Sequence, residues 1–265
     1  MNDLGVAALL GLVQGLTEFL PVSSTAHLIV AEKLFHLDPQ RFGLAFDVAV
    51  HLGTALAVLL YFATTWISLA RDLFAGRWRV PALIAVGTVP AAVIGVLLES
   101  AVSSTLRDIR VIVVTLVAGS ILFYVAERVG ARTRRADELG WGAAFLVGAA
   151  QALALLPGMS RSGSTISAGL LASLTRIDAT RFSFLLATPI ILGAGAKTLL
   201  DARHATGLFA EPAVPIVGFV VAFLSGLGAV AFMLRFLRAN SLNWFTPYRL
   251  LLAAVLVVAS LLGMA

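Results

Sequence analysis

Long apolar runs, separated by short polar loops, extend over the whole chain. Runs of this length are typical of membrane-spanning helices, which need about 20 predominantly apolar residues. Because a bilayer core offers no water to backbone groups, such runs must be helical. The pattern predicts full spans at about residues 44–65, 81–100, 109–127, 180–200, 213–235 and 247–264.

Two further apolar segments are interrupted by polar residues. Residues 4–20 contain a carboxylate and precede a short helix predicted at 22–33. Residues 140–156 lead into LPGMSRSGSTIS and a second short helix predicted at 163–174. Since these short helices cannot cross a bilayer alone, we predict two re-entrant hairpins, which enter the membrane and return on the same side.

The two halves of the chain share this order of elements. A glutamine, a Leu-Pro pair and a serine cluster follow both Gly11 and Gly148. Further matches at a constant offset are Pro81 with Pro212, Gly87 with Gly218 and Gly95 with Gly226. We therefore predict one integral membrane domain, 1–265, with repeat A at about 1–127 and repeat B at about 138–265. Each half holds a hairpin and three transmembrane helices, an odd number, so the second copy is inverted.

Composition supports an all-α polytopic membrane protein. The chain is 60% hydrophobic and 12% charged, with a mean hydropathy of +0.98. It has no cysteine, which excludes disulfides, thiolate catalysis and cysteine-ligated metals. The net charge of +5 is mostly arginine near segment ends, which indicates topology and not nucleic-acid binding. The N-terminus lacks a basic region and a small-residue cleavage site, so we expect no removable signal peptide.

Basic residues concentrate on the side of the membrane opposite the N-terminus. That side carries Arg71, Arg77, Arg79, Arg128, Arg132, Arg134, Arg135, Arg176, Arg181, Arg235 and Arg238. The other side carries Lys33, Arg41, Arg107, Arg110 and Arg203. The basic excess predicts that the side opposite the N-terminus is cytoplasmic and that both termini lie outside the cytoplasm. The hairpins then enter from opposite sides, and their tips can meet near the midplane.

The first hairpin carries a carboxylate at membrane depth. Burying such a group costs roughly 2.5–3.5 kcal/mol, so its default interpretation is functional. Gln14 and Glu18 are four residues apart and share a helix face. A structural ion pair with Arg161 is the alternative interpretation of Glu18.

Pro21 can open the second helix of this hairpin, because the first helical position has no N–H bond to lose. Hydroxyl residues then lie in the first turn, where free N–H groups and the helix dipole attract anions. These residues are Ser23, Ser24 and Thr25. His27 follows Ser24 by three residues and is expected beside that hydroxyl. A satisfied interior histidine is the alternative.

The second hairpin supplies Arg161 between serines and close to Gly158 and Gly163. An arginine is a permanent cation suited to bidentate phosphate binding, and glycines let a backbone approach an anion. Serines in membrane helices often bond only to backbone or to a neighbouring helix, so single hydroxyls carry less weight. On the next span, Asp47 and His51 share a face, and we expect them to support the site, to contact a metal or to form a local pair.

The strings QGLTEFLPVSSTAH and LPGMSRSGSTISAG resemble the two signature motifs of the bacterial undecaprenyl-diphosphate phosphatases of the bacitracin-resistance type. The resemblance implies hydrolysis of undecaprenyl diphosphate to undecaprenyl phosphate and inorganic phosphate, which recycles the lipid carrier of peptidoglycan synthesis. It also implies a site that faces the periplasm or exterior of the cytoplasmic (inner) membrane.

The family's motifs fall on particular residues of this chain. The implied catalytic residues are Glu18, Ser24, His27 and Arg161. The implied substrate-binding residues are Gln14, Ser23, Thr25, Ser160, Ser162 and Thr165. Some relatives carry glutamate where this chain has Gln14; an amide cannot act as a base, so Glu18 must carry that role here.

Several questions stay open at this point. Ser24 is the candidate nucleophile with His27 as base or acid, and direct attack by water is equally allowed. A divalent cation, Mg²⁺ or Ca²⁺, is expected to bridge Glu18 and the diphosphate. The rival interpretation is a transporter or flippase of a lipid or anionic substrate, since inverted repeats with broken helices are typical of transporters. The expected partners are the polyprenyl diphosphate and membrane lipids, with a homodimer left open.

Overall fold

The computed structural model describes residues 2–98, 105–201 and 212–262. Within these ranges the chain forms helices and turns and no strand. The helices are α1 Asp3–Phe19, α2 Ser24–Leu34, α3 Pro39–Phe42, α4 Leu44–Tyr61, α5 Ala63–Phe74, α6 Arg79–Leu97, α7 Ile109–Val129, α8 Trp141–Ala152, α9 Arg161–Leu171, α10 Arg176–Asp201, α11 Ala213–Ala239 and α12 Thr246–Leu261. The all-helical prediction is confirmed.

Five helical segments are long and apolar enough to cross a membrane. They are Arg79–Leu97, Ile109–Val129, Arg176–Lys197, Ala213–Ala239 and Leu242–Leu261. They correspond to five of the six predicted spans. The predicted ends at 99–100 and 263–264, and Arg203 in the orientation argument, lie outside the described residues.

The sixth predicted span, at 44–65, is a broken pair of helices. Its two parts, α4 and α5, meet at Phe62 and are bent by 71°. The apolar run ends near this point, and Thr64, Thr65 and Arg71 follow it in α5. The predicted span over 44–65 therefore bends where the polarity of the chain changes, and by length and composition the bent pair is either one broken span or a re-entrant loop.

Two sharp turns separate short helices, one between α1 and α2 and one between α8 and α9. The predicted start of α2 at Pro21 is wrong, because the helix begins at Ser24. The Val22 amide donates to the Leu20 carbonyl at 2.8 Å, and Ser23 has a φ of 75°. This left-handed residue separates Pro21 from the helix. Ser160, directly before α9, likewise has a φ of 70°.

Glycines bring the helices that carry these turns close to their neighbours. A Cβ atom on Gly11 would clash with the carbonyl of Gly218, so α1 and α11 touch backbone to backbone. A Cβ atom on Gly148 would clash with the carbonyl of Gly87, so α8 and α6 touch in the same way. Small residues permit such contacts between helices in membranes. These two contacts fix the helices that lead into the two turns.

The largest buried apolar cluster of the described residues includes side chains next to both turns. Phe19 and Val22 lie at the first turn and Ile166 follows the second, and Phe123 of α7 belongs to the same cluster. Phe19 also packs edge-to-face on Phe184 of α10, with the ring centroids 5.2 Å apart. The polar residues of the two turns are therefore held by a packed apolar surround.

Candidate active site

The two turns contact each other directly. Arg161 donates from Nη2 to Glu18 Oε1 at 2.5 Å. The Gly158 amide donates to Ser23 Oγ at 2.9 Å, and Ser162 Oγ donates to the Leu20 carbonyl at 3.2 Å. Residues from the two halves of the sequence thus form one polar cluster.

Glu18 lies at the centre of this cluster. Its side chain is 5% exposed and that of Arg161 is 13% exposed, so their ion pair is largely removed from solvent. The second oxygen of Glu18, Oε2, accepts from Ser24 Oγ at 2.5 Å and from Gln14 Nε2 at 3.0 Å. The predicted shared face of Gln14 and Glu18 is confirmed. A carboxylate in this position orients the Ser24 hydroxyl and can accept its proton.

The first turn also contains Ser23 and Thr25. Ser23 is buried, and its hydroxyl accepts from the second turn instead of capping α2. Thr25 is partly exposed in the first turn of α2. The first N–H groups of α2 therefore have no side-chain cap, which suits them to an anion.

The ring nitrogens of His27 bond partners other than Ser24, although the spacing predicted the imidazole beside that hydroxyl. Its Nδ1 lies 2.7 Å from the Ser23 carbonyl and its Nε2 lies 2.6 Å from the Tyr248 hydroxyl. Because a carbonyl only accepts, Nδ1 carries a proton; when the ring is neutral, Nε2 therefore accepts from the Tyr248 hydroxyl. The Ser24 hydroxyl turns towards Glu18 while the imidazole turns towards α12.

The hydroxyls of Ser160 and Thr165 in the arginine motif are bonded within the protein. Ser160 Oγ accepts from the Gly163 amide at 3.2 Å and lies 3.3 Å from Ser162 Oγ. Thr165 Oγ1 donates to the Arg161 carbonyl at 2.8 Å and lies 2.5 Å from Ser183 Oγ. These contacts shape the start of α9, the helix that begins with Arg161.

Asp47 and His51 lie together on α4, where His51 Nδ1 is 2.6 Å from the Asp47 carbonyl, but their side chains face different partners. His51 Nε2 is 3.6 Å from Glu18 Oε2, so the imidazole borders the site. Asp47 instead lies 3.4 Å from Arg107 Nη1, and Arg107 Nη2 bonds Glu32 Oε2 at 2.8 Å. Of the predicted roles for this pair, the geometry shows a local contact between the two residues and favours support of Glu18 by His51.

The donors around Glu18 do not fit a resident divalent cation. Both of its oxygens face hydrogen-bond donors, from Arg161 on one side and from Gln14 and Ser24 on the other. In the described part of the chain, no three histidine, aspartate or glutamate side chains are grouped so as to hold a metal. The cation expected at Glu18 stays a prediction.

Two residues of α12 belong to this region and were missed by sequence reasoning. Tyr248 bonds His27, and its ring stacks on the imidazole with centroids 5.7 Å apart. Arg249 is fully buried and donates to Pro21 and Gly158, one residue in each turn. The available signal was a charged residue inside an apolar span, which is functional by default.

These observations define a class of protein: all-helical, with several apolar spans and a buried cluster of an arginine, a carboxylate and a hydroxyl. Residues 7–255 match the family model described as bacitracin resistance protein BacA. The chain is 45% identical over 273 residues to the undecaprenyl-diphosphatase of Rubrobacter xylanophilus, covering 99% of this chain and 100% of that protein. It is 40% identical over 260 residues to the undecaprenyl-diphosphatase of Mycobacterium ulcerans, covering 94% of both chains. This chain belongs to the bacitracin resistance protein BacA family, which confirms the resemblance.

Proposed function

We propose that the protein hydrolyses undecaprenyl diphosphate to undecaprenyl phosphate and inorganic phosphate, and thereby recycles the lipid carrier of peptidoglycan synthesis. The observation that carries the proposal is the contact of Arg161 and Ser24 with one carboxylate, Glu18, in a chain related to undecaprenyl-diphosphatases. A guanidinium, a hydroxyl and a carboxylate are the groups needed to bind a phosphate, attack it and take up the proton.

Substrate binding begins at the ion pair. The terminal phosphate competes with Glu18 for Arg161, because a guanidinium binds phosphate in a bidentate manner. The uncapped first turn of α2 offers further N–H donors to the same anion. The polyprenyl tail lies in the apolar grooves between spans. Release of Glu18 from Arg161 leaves the carboxylate free to act as a base.

Bond cleavage then proceeds at Ser24. Its hydroxyl passes its proton to Glu18 and attacks the terminal phosphorus, the bridging P–O bond breaks, and undecaprenyl phosphate leaves. Water then attacks the phosphoserine and gives up a proton to a base, the bond between phosphorus and Ser24 Oγ breaks, Glu18 returns its proton to that oxygen, and inorganic phosphate is released. Because His27 Nε2 faces the Tyr248 hydroxyl and not Ser24, its part in this second step, as acid or base, runs through Tyr248. Direct attack by water prepared at Glu18 is the alternative route.

The proposal includes an inverted repeat of two re-entrant hairpins, with the site open to the exterior of the cytoplasmic membrane. The contact of Gly11 with Gly218 and that of Gly148 with Gly87 relate the same elements of the two halves. Ser23 and Ser160 also share a positive φ at corresponding points. The arginine excess on the opposite side supports an exterior-facing first hairpin.

The test is phosphate release from undecaprenyl diphosphate by the purified protein in detergent. We expect turnover without a sealed membrane, because hydrolysis needs no compartment whereas transport does. The same preparation carrying Arg161→Ala controls for a contaminating phosphatase. Transport of the lipid in vesicles, without phosphate release in detergent, would favour the transporter interpretation instead.

Tyr248→Phe is expected to lower kcat by about 10-fold. Complete loss of general acid–base assistance would have a larger effect, but this variant removes only the hydrogen bond that Tyr248 makes to His27. The imidazole keeps its Nδ1 bond to Ser23, and the phenyl ring can still stack on it. Phosphate release across a range of pH is the measurement, and the profile should shift because Nε2 has lost its donor. Tyr124→Phe, on an exposed face of α7, is the matched control. An unchanged rate and pH profile for Tyr248→Phe would remove this residue from the site.

A further inference from the structure

Arg249 is a fully buried cation whose hydrogen bonds reach three parts of the molecule. Its Nη1 donates to the Pro21 carbonyl at 3.1 Å, and its Nη2 donates to the Gly158 carbonyl at 2.8 Å. Further bonds go to the carbonyls of Thr115, Leu116 and Met159 and to Ser120 Oγ. The guanidinium also lies 4.7 Å from the centre of the Phe123 ring.

These partners are five carbonyls and one hydroxyl, and none is a carboxylate. Burying a charge without a counter-ion is costly unless hydrogen bonds replace its hydration. A shorter apolar side chain could fill a helix interface without that cost. The arrangement therefore needs a reason beyond packing.

The positions of the bonded carbonyls supply one. Pro21 lies midway between Glu18 and Ser24, three residues from each. Gly158 lies three residues before Arg161, and its amide is bonded to Ser23 across the turns. Arg249 thus binds a carbonyl in each turn, close in sequence to Ser24 in the first turn and to Arg161 in the second.

We propose that Arg249 is a positioning residue for phosphate release: it clamps the carbonyls of Pro21 and Gly158 and so sets the distance between Ser24 and Arg161. The proposal rests on the proposed function. It assigns α12 a place in the site although Arg249 touches no substrate. The rigid planar guanidinium is suited to this task, because its donors point in fixed directions whereas a lysine ammonium is a single point charge.

The first test compares Arg249→Lys with Arg249→Met. If geometry matters, both lower kcat about 100-fold with little change in KM, because misplacing reacting groups by about 1 Å has an effect of this size. Phosphate release is divided by the amount of folded protein, measured by gel filtration and thermal melting. Full activity in Arg249→Lys would show that charge alone suffices and would overturn the clamp. A lower melting temperature with normal kcat per folded molecule would do the same.

Gly119→Ala tests the clamp without removing the arginine. A Cβ atom there would clash with Arg249 Nη2 and lie 3.0 Å from the Met159 carbonyl, so it displaces the guanidinium and keeps its charge. We expect kcat to fall at least 10-fold. Gly228→Ala, where a Cβ meets nothing within 4 Å, is the matched control and should behave as the unaltered protein. Normal kcat in Gly119→Ala would contradict the proposal. If Arg249→Met does not fold, Gly119→Ala still provides the test.

The two proposals fail separately. An unaltered protein that releases no phosphate overturns the proposed function, whatever the variants do. An active protein whose Arg249 and Gly119 variants turn over normally overturns only the clamp.

Discussion

Arg161→Ala is expected to lower kcat/KM for phosphate release by roughly 10³-fold or more, the range found when an arginine that stabilises phosphoryl transfer is removed. Two losses combine in this variant. The diphosphate loses its permanent cation, and Glu18, whose side chain is 5% exposed, loses its ion-pair partner. A buried charge left unpaired is strongly destabilising, so the melting temperature should fall as well.

Arg161→Lys separates these losses. The lysine keeps the positive charge beside Glu18 but cannot bind a phosphate in a bidentate manner. We expect its melting temperature to be close to that of the unaltered protein and its activity to lie between those of the other two forms. Arg77→Ala is the matched control, because Arg77 is 70% exposed and pairs with Asp72 outside this site. Near-normal kcat/KM in Arg161→Ala would reject the binding role given to Arg161.

Local pattern predicted most of the helices and the two turns. Hydrophobic run length located the spans, and the four-residue spacing placed Gln14 beside Glu18, where a bond of 3.0 Å is found. The predictions failed where the backbone conformation of a single residue sets the start of a helix. The positive φ of Ser23 delays α2 to residue 24, and no residue type in LPVSS announces it.

Contacts across the whole chain were beyond local reasoning. His27 and Tyr248 are 221 residues apart, and Pro21 and Arg249 are 228 apart. Spacing rules describe neighbours on one helix, so they paired His27 with Ser24, while the fold paired it with α12. The role of α12 follows from which helices pack together, and one sequence alone does not contain that information.

Both oxygens of the Glu18 carboxylate are hydrogen-bonded in the resting cluster, and this matters for its chemistry. Glu18 accepts from Arg161, Ser24 and Gln14, so the carboxylate is held in one orientation before substrate arrives. Gln14 and Ser24 still hold the carboxylate after Arg161 has left it, so it needs little rearrangement in the reaction that follows, and such preorganisation is a main source of electrostatic catalysis. The phosphate must displace the Arg161–Glu18 bond, so binding and activation of the base are the same event.

Glu18→Gln and Ser24→Ala are each expected to lower kcat by roughly 10³-fold or more, and the double variant should be no slower than the slower single one. Groups that act as a unit give such non-additive losses, because removing either already abolishes the step. Glu18 Oε2 and Ser24 Oγ are 2.5 Å apart, so we expect them to act as one base–nucleophile pair. Glu138→Gln and Ser260→Ala change the same residue types at exposed positions and should leave kcat unchanged.

The same set of variants distinguishes the two routes to phosphate. If Ser24 attacks, a phosphorylated Ser24 peptide should be detectable by mass spectrometry after rapid acid quench, and Ser24→Ala should abolish it together with turnover. If water attacks directly, Glu18→Gln is inactive whereas Ser24→Ala stays active. The carboxylate still prepares the water when the Ser24 hydroxyl is absent. Ser24→Ala within about 10-fold of the normal rate, a loss no larger than that of one supporting hydrogen bond, would therefore assign attack to water and leave Ser24 as a contact of Glu18.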